Sequence, residues 1–329
     1  MCHHETKYNE FESCHTIMKD NVKQTSDDFG IARGGKGAIL YGILSNQTQH
    51  QTVIGIKRLY INGGGYEVEQ ALRREIAVWC NLENQNVLEL LGIVVLSPTQ
   101  NNYLPKSTVF HYYTHGDLKE YRTNSKPNDL EILKLLRDTA AGLSHIHQQN
   151  IVHGDLKDVN VVVEHPGKAR ICDFGSAYTL GCTNCIASPP NAFDSLVTQR
   201  YLSPEIRRGG DCRTTQQSDV WALGCVILEE STTLVKGLTR AQLILQIVTQ
   251  VLTGTPPYKS SNDHAFGWIR RQLRGEYPAE RSAFAASSIS MDVGKIAFLC
   301  WEQEPSMRPP AQSVLENLEE LCIEYDTQP

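Results

Sequence analysis

The stretch "HGDLKDVN" at residues 153–160 brings four chemically distinct polar side chains together within eight positions. Asp155 follows His153 by two residues, Lys157 follows by two more, and Asn160 follows by a further three. An acidic, a cationic and an amide side chain at such short spacing are typical of residues that act together in one site. The stretch therefore indicates a functional site, and the motifs before and after it decide which kind.

Composition narrows the class of protein. The 329 residues are 40% hydrophobic and 21% charged, which is ordinary for a globular chain with one large domain or two lobes. A net charge of −6 argues against a nucleic-acid or anionic-membrane binder. No window approaches the about 20 apolar residues of a membrane span, and the N-terminus lacks the apolar core of a signal peptide. We therefore expect an intracellular, cytoplasmic protein whose ten cysteines are mostly free thiols.

The residue pattern divides the chain into an extension and two lobes. Residues 1–28 are polar without a sustained period, so we expect a flexible extension with at most a short helix. Residues 29–113 carry β-branched and aromatic runs and one helical pattern, which predicts a small β-rich lobe. Residues 114–325 are mainly helical in pattern and predict a larger lobe, and residues 326–329 form a tail.

Several stretches predict individual elements. "AILYGIL" (38–44) and "TVIGIKRLYI" (52–61) read as strands, and "YEVEQALRREIAVWCNL" (66–82) reads as a helix. Asn128 and Glu131 form a capping-box pattern at the start of a second predicted helix. Further helices are predicted at 239–252 and 313–325.

Eight motifs in a fixed order carry a family resemblance. They are "IARGGKGAILYG" (31–42), "VIGIK" (53–57), "STVFHYYTHGDL" (107–118), "HGDLKDVN", "DFG" (173–175), "TQRYLSPE" (198–205), "SDVWALG" (218–224) and "CWEQEPSMRPP" (300–310). With them, the chain from about Phe29 to Leu321 resembles a eukaryotic protein kinase domain, most closely the tyrosine-kinase-like serine/threonine kinases. The resemblance implies an α+β, bilobal fold, with an antiparallel β-sheet lobe with one helix and a larger α-helical lobe.

The resemblance implies an ATP site between the lobes. Gly34 and Gly37 match the second and third glycines of the family's phosphate-covering loop, and Ala32 stands where the first is usual. Lys57 would contact the phosphates and pair with Glu75, while Phe110 would close the back of the adenine pocket. The positions implied for nucleotide binding are Ala32, Gly34, Gly37, Ile39, Gly55, Lys57, Glu75, Phe110, His111, Tyr113, Asn160 and Asp173.

The resemblance also assigns the chemistry. Asp155 would orient and deprotonate the substrate hydroxyl, and Lys157 would neutralise the transferred γ-phosphoryl group. Asn160 and Asp173 would hold Mg²⁺, a hard cation that takes oxygen ligands. Lys157 and Thr198 match serine/threonine kinases, which implies a protein substrate with a Ser or Thr acceptor.

Gly154 departs from the family, where an Arg is usual before the catalytic Asp. In many kinases that Arg is a buried charge that a phosphorylated activation segment satisfies. Glycine removes the charge, so we expect activity that does not depend on activation-loop phosphorylation through this position.

Other motif residues are expected to support the site or to have no role in it. Glu205 should pair with Arg308, and Asp219 should accept backbone N–H groups of the catalytic loop. The C-x-x-C of Cys182 and Cys185 is by itself weak evidence for zinc or redox control.

Three alternative functions remain open on the sequence alone. Ala32, Gly154 and Ser203 are departures that favour a pseudokinase or scaffold, which would bind nucleotide or partners without phosphoryl transfer. Small-molecule phosphotransferases of the aminoglycoside and choline type also carry H-G-D with an Asn five residues after the Asp. The large lobe could also serve as an interaction surface alone. The sequence does not give the oligomeric state.

Overall fold

A computed structural model describes most of the two lobes. The described residues are 9, 12, 15–17, 21–24, 32–34, 37–45, 51–59, 65–95, 106–181, 196–208, 213–231, 258, 267–284 and 287–327. The C-x-x-C at Cys182 and Cys185 and the helix predicted at 239–252 lie outside them.

The small lobe is built on a seven-stranded sheet. Its strands are β1 (Thr16–Ile17), β2 (Val22–Gln24), β3 (Ala32–Gly34), β4 (Gly37–Ser45), β5 (Gln51–Leu59), β6 (Leu90–Val95) and β7 (Lys106–His111). Their order is β1-β6-β7-β5-β4-β2, with β3 paired to β4. All pairs are antiparallel except β1 with β6.

The two faces of this sheet differ in composition. One face buries a small apolar cluster of Leu40, Ile54, Ile56, Val94 and Val109. Because side chains alternate along a strand, Gly55 and Lys57 lie on the opposite face, which also carries Phe110, the residue paired with Gly55. That second face is the one that borders the large lobe.

Strands β1 and β2 correct the expectation for the first 28 residues. Thr16–Ile17 pairs with β6 and Val22–Gln24 pairs with β4, so the small-lobe sheet begins within the stretch predicted to be a flexible extension. These strands are two and three residues long. Backbone pairing at the two ends of the sheet, rather than a hydrophobic period, places them.

Helix α1 (Gly65–Trp79) packs on the second face of the sheet. Its predicted apolar stripe is buried, from Val68 through Leu72 and Ile76 to Trp79. The helix ends three residues before the predicted end at Leu82. There, the Trp79 indole N–H donates to the carbonyl of Leu88, 2.5 Å away.

The large lobe is mainly helical, as predicted. Its helices are α2 (Leu118–Ser125), α3 (Asp129–Gln148), α4 (Leu196–Tyr201), α5 (Pro204–Arg207), α6 (Gln216–Ser231), α7 (Gly267–Leu273), α8 (Ser288–Cys300) and α9 (Ala311–Asp326). The predicted capping box of Asn128 and Glu131 is present at the start of α3. No helix among the described residues combines the length and the apolar character of a membrane span.

Two short antiparallel strand pairs carry the loops of the site. Strand β8 (Ile151–Val152) pairs with β11 (Tyr178–Thr179), and β9 (Val161–Glu164) pairs with β10 (Lys168–Ile171). "HGDLKDVN" therefore runs from β8 to β9, and "DFG" runs from β10 to β11. This arrangement confirms the α+β, bilobal fold and places both motifs at the boundary between the lobes.

Arg308 ties the segment before α6 to the end of the large lobe. Its guanidinium donates to both carboxylate oxygens of Glu205 at 2.7 and 2.8 Å, and to the carbonyls of Glu302 and Gln217. The arginine side chain is 0% exposed and lies over the Trp221 ring. The predicted Glu205–Arg308 pair is thus formed, with the arginine buried and the glutamate partly buried.

We expect Arg308→Ala to lower the free energy of unfolding by about 3–5 kcal/mol, because it leaves the Glu205 carboxylate without its partner. Urea denaturation followed by circular dichroism measures the change. Arg274→Ala is the matched control: its side chain is 66% exposed beside Glu276, so the loss should stay below about 1 kcal/mol. Equal losses in the two variants would contradict the structural role of Arg308.

Candidate active site

Lys57 lies at the centre of the site. Its ammonium on β5 is 2.7 Å from Glu75 Oε1 on α1 and 2.7 Å from Asp173 Oδ1 of "DFG". Burial acts to lower the pKa of Lys57, but the two carboxylates outweigh it and hold the pKa above its ordinary value. The Lys57 ammonium in turn holds the pKa of Asp173 well below its usual range. Strand β5, helix α1 and the "DFG" turn are therefore joined by these ion pairs.

The predicted nucleotide-binding positions of β4 and β5, together with Phe110 on β7, lie on the face that carries Lys57, whereas His111 is paired with Ile54 of the opposite face. Ile39 on β4 is directly opposite Lys57, and Phe110 on β7 is directly opposite Gly55. Ala32 and Gly34 form β3, which pairs back onto β4. At Gly37 a Cβ atom would lie 2.5 Å from the carbonyl oxygen of Arg58, so the close approach of β4 to β5 requires glycine there.

The stretch between the lobes follows β7. His111 is its last strand residue, and Tyr113 lies beyond it with its ring below the guanidinium of Arg170, 5.7 Å from the ring centroid. The rings of His111 and Tyr113 are near-parallel with centroids 6.3 Å apart. The backbone here then leads into α2, whose N-cap Asp117 forms a capping box with Glu120.

Asp155, Lys157 and Asn160 are brought together in the large lobe. Lys157 Nζ is 2.7 Å from Asp155 Oδ2, and the Asn160 amide donates to the carbonyl oxygen of Asp155 at 2.8 Å and to Oδ2 at 3.2 Å. Burial raises the pKa of Asp155, and Lys157 opposes that shift. Asp155 is thus a carboxylate whose proton affinity is higher than that of an exposed Asp, as a general base requires.

Asp219, at the start of α6, holds the backbone that precedes Asp155. Its carboxylate accepts the N–H of His153 at 2.8 Å and the N–H of Gly154 at 2.9 Å, and His147 lies 3.0 Å from Oδ2. Gly154 has φ of +77°, and a Cβ atom there would lie 3.0 Å from both Ser176 O and Thr214 Oγ1. The predicted role of Asp219 as a backbone acceptor matches this geometry.

An aromatic column connects the two lobes behind these charges. Phe110 contacts Trp79 with ring centroids 5.9 Å apart, Trp79 contacts Phe174 at 5.6 Å, and Phe174 contacts His153 edge-on at 5.5 Å. Phe174 is fully buried. Asp173, beside it, has a left-handed φ of +65°, a costly conformation for a non-glycine residue that the surrounding packing imposes.

The oxygen atoms of Asp173 and Asn160 fit a divalent cation. The Asp173 carboxylate is ionised and 42% exposed although it touches Lys57. The amide nitrogen of Asn160 is used toward Asp155, which leaves the amide oxygen as an available acceptor. A carboxylate and an amide oxygen beside a cationic lysine suit Mg²⁺ that also binds phosphate oxygens.

A buried acidic network beside the loop of residues 153–160 was not predicted from the sequence. Glu229 on α6 accepts a hydrogen bond from the Tyr201 hydroxyl at 2.6 Å and shares a hydrogen bond with Asp158, which directly follows Lys157. Burial and the neighbouring Asp158 raise the pKa of Glu229 to about 9. The next residue, Glu230, is paired with Arg122 at 2.8 Å. The loop therefore rests on a carboxyl group that is protonated at neutral pH.

Glu229→Gln should make stability less dependent on pH. With a folded-state pKa of about 9 against an ordinary pKa of 4.5, the stabilising contribution of Glu229 is complete below pH 4.5 and is lost as pH rises through 9. Thermal denaturation from neutral to alkaline pH should show a decline in Tm for the wild type and a shallower decline for the variant. Glu320→Gln, at an exposed position of α9, should keep the wild-type slope. An unchanged slope in Glu229→Gln would show that Glu229 is ionised in the fold.

Comparison with known proteins supports the family resemblance found in the sequence. Residues 30–239 match a family model described as "Protein kinase domain". This range contains every predicted catalytic and nucleotide-binding position.

Three curated relatives illustrate the extent of similarity. The chain is 25% identical over 314 residues to a probable serine/threonine-protein kinase PBL4 of Arabidopsis thaliana, covering 92% of this chain and 70% of that protein. It is 26% identical over 292 residues to human cyclin-dependent kinase-like 2, covering 86% and 56%. It is 28% identical over 257 residues to the serine/threonine-protein kinase Nek1 of Mus musculus, covering 75% and 20%. The chain thus spans less than two thirds of the length of two of these three relatives.

Proposed function

Because this chain belongs to the protein kinase family, we propose that it transfers the γ-phosphoryl group of ATP to Ser or Thr hydroxyls of protein substrates. The observation that carries the proposal is the Lys57 ammonium at 2.7 Å from both Glu75 and Asp173. A cation beside an ionised carboxylate at the boundary between the lobes is the arrangement that would hold the phosphates of ATP. We assign the kinase domain proper to residues 29–325, with the small lobe ending at residue 113, and strands β1 and β2 extend its sheet from the preceding residues.

The proposed reaction breaks the bond between the γ-phosphorus and the oxygen of the ADP leaving group. The acceptor hydroxyl forms the new bond to phosphorus, and its proton goes to Asp155. Lys157 neutralises the transferred group, and Lys57 holds the remaining phosphates. Bound Mg²⁺ supplies charge neutralisation between the phosphates, and Asp173 and Asn160 are the residues that would hold it.

A Ser or Thr acceptor is supported by two observations. Lys157 lies 2.7 Å from Asp155, so the cation that would steady the phosphoryl group reaches the site from the catalytic loop itself. Two of the relatives are also named as serine/threonine kinases. The buried Glu205–Arg308 pair belongs to the protein kinase pattern and speaks against a small-molecule phosphotransferase.

Phosphate incorporation from labelled ATP and Mg²⁺, into the chain and into a generic basic protein, tests the activity. We expect incorporation by the wild type and a loss of about 100-fold or more in Asp155→Asn, because general-base positioning typically contributes that much. Phosphoamino-acid analysis should give Ser or Thr. An Asp155→Asn variant with wild-type activity would refute the role of Asp155.

A nucleotide-binding scaffold is the second candidate, which Ala32 favours because it adds a methyl group where the family's loop has glycine. ATP would then raise the Tm without any phosphate transfer. Stabilisation by ATP in the absence of wild-type incorporation would favour this candidate over the kinase.

We further propose that activity does not need a phosphorylated activation segment. The Gly154 N–H is satisfied by Asp219, and no cationic side chain at position 154 awaits a phosphate. Replacing every Ser and Thr between Gly175 and Leu202 with Ala, except Thr198, should leave activity within about threefold of wild type. Loss of activity in a folded variant would contradict the proposal. Gly154→Arg should be impaired, because φ is +77° and the neighbouring atoms leave little room.

A further inference from the structure

Four arginines lie together on α7 and at the end of α5. Arg270 and Arg271 belong to the last turn of α7, Arg274 directly follows that helix, and Arg208 directly follows α5. Helices α5 and α7 pack against each other. The Arg208 guanidinium lies 3.9 Å from the place of a Cβ atom at Gly275, the residue after Arg274. These four residues form the α7 arginine cluster.

The cluster carries an excess of positive charge. The Glu276 carboxylate lies 2.8 Å from Arg271 Nε and 2.8 Å from Arg274 Nη2. Within the described parts of the chain, Arg208 and Arg270 form no ion pair with a carboxylate. Four guanidinium groups thus face one carboxylate on a chain whose net charge is −6. A positive surface of this kind attracts negatively charged partners.

An apolar groove lies between α8 and the segment that follows α7. Its volume is about 430 Å³. Tyr277, Met291 and Leu299 line it with exposed fractions of 41%, 51% and 46%, and they are three of the eight large hydrophobic residues exposed among the described residues. The Phe298 ring also lines the groove and lies under the guanidinium of Arg281, 5.2 Å from the ring centroid. Apolar side chains exposed together in a concave surface are typical of a binding site.

The groove adjoins the α7 arginine cluster. A Cβ atom at Gly275 would lie 3.3 Å from Gln303 Oε1, and Glu302, the residue before Gln303, lines the groove. The charged residues that line the groove are Arg281, Lys295 and Glu302. Cluster and groove therefore form one continuous surface, apolar in the groove and mainly positive beside it.

Helix α7 is also attached to the segment that borders the candidate active site. The Gln272 side chain is fully buried, and its amide donates a hydrogen bond to the carbonyl of Leu202. Leu202 and Asp155 line the same small cavity. A protein bound on α7 would therefore lie one residue contact away from the lining of the active site.

We propose that the α7 arginine cluster and the adjoining groove form a docking surface for protein substrates that carry apolar side chains flanked by acidic ones. The apolar side chains enter the groove, and Asp or Glu carboxylates pair with the guanidinium groups of Arg208 and Arg270. The proposal rests on the proposed kinase activity and names the class of its substrate, an acidic protein.

Phosphorylation of dephosphorylated casein, an acidic protein, and of histone, a basic protein, tests the surface. In Arg270→Glu/Arg274→Glu the KM for casein should rise about tenfold or more, because attraction becomes repulsion. The KM for histone should not rise. The kcat for casein and the KM for ATP should keep their wild-type values, since the change removes only binding of the protein substrate.

Lys126→Glu/Lys134→Glu is the matched control for charge. Both lysines are exposed, on α2 and α3, and the double variant changes the net charge by the same amount. The KM for casein should stay within about twofold of wild type, because exposed charges away from the surface are screened by salt.

Leu299→Gln tests the groove separately. The KM for casein should rise about threefold or more, because an apolar contact is lost. Ile323→Gln is its control, since Ile323 is 67% exposed on α9 and does not line the groove. The KM for casein should there remain at the wild-type value.

The opposite results would overturn the proposal. They are an unchanged KM for casein in Arg270→Glu/Arg274→Glu, or an equal rise in the KM for histone. Self-association of the wild type, measured by sedimentation and abolished by Leu299→Gln, would assign the groove to a second copy of this chain instead. If the charge reversal impairs folding, Arg270→Gln/Arg274→Gln tests the same contacts, with a smaller rise in the KM for casein expected.

Binding of labelled casein, measured by fluorescence anisotropy, separates this proposal from the kinase activity. A wild type that transfers no phosphate to any protein refutes the activity. The docking surface is then supported if the wild type binds casein and Arg270→Glu/Arg274→Glu binds it at least about tenfold more weakly. Equal affinities, or no binding by the wild type, would refute the docking surface.

Discussion

The placement of one buried ammonium group governs the rest of the site. Lys57 can remain charged in the interior only because Glu75 and Asp173 compensate its loss of hydration. The three residues come from β5, α1 and the turn after β10, which are separated in sequence by 18 and 98 positions. Electrostatic compensation therefore fixes the helix against the sheet and the small lobe against the large one at a single point.

Other buried charges are handled in different ways, and the differences follow from their neighbours. Asp219 is satisfied by backbone N–H groups of His153 and Gly154, so its charge organises the loop of residues 153–160. Glu229 has the Tyr201 hydroxyl and the carboxyl of Asp158 beside it and is held in its neutral form. Arg308 gains a bidentate carboxylate. Burial of a charge costs hydration energy in all three cases. Backbone dipoles compensate it at Asp219, protonation avoids it at Glu229, and an opposite charge compensates it at Arg308.

Sequence reasoning predicts those parts of the molecule that local pattern or motif order determines. Strand β4, the apolar stripe of α1 and the capping box of α3 follow from period and local hydrogen bonding. The Lys57–Glu75 and Glu205–Arg308 pairs follow from the family resemblance. The hydrogen-bond network of Glu229 has no comparable signal, because its members are brought together only by packing of α6 against the loop. Strands β1 and β2 are likewise set by backbone pairing and are too short to show a period. The chemistry assigned to Asp155 and Asp173 rests on the family resemblance and is a prediction.

Two glycines show how the absence of a side chain can be understood from geometry. At Gly154 the backbone itself requires glycine, since φ is +77° and both neighbouring oxygen atoms would lie 3.0 Å from a Cβ atom. Its N–H group is already bonded to Asp219, so the loop is ordered by a carboxylate from within the fold. At Gly55 the backbone is an ordinary strand, and the requirement comes from the Phe110 ring across the sheet. Glycine at position 154 thus follows from the conformation of its own backbone, whereas at position 55 the space of a side chain is occupied by a ring from the neighbouring strand.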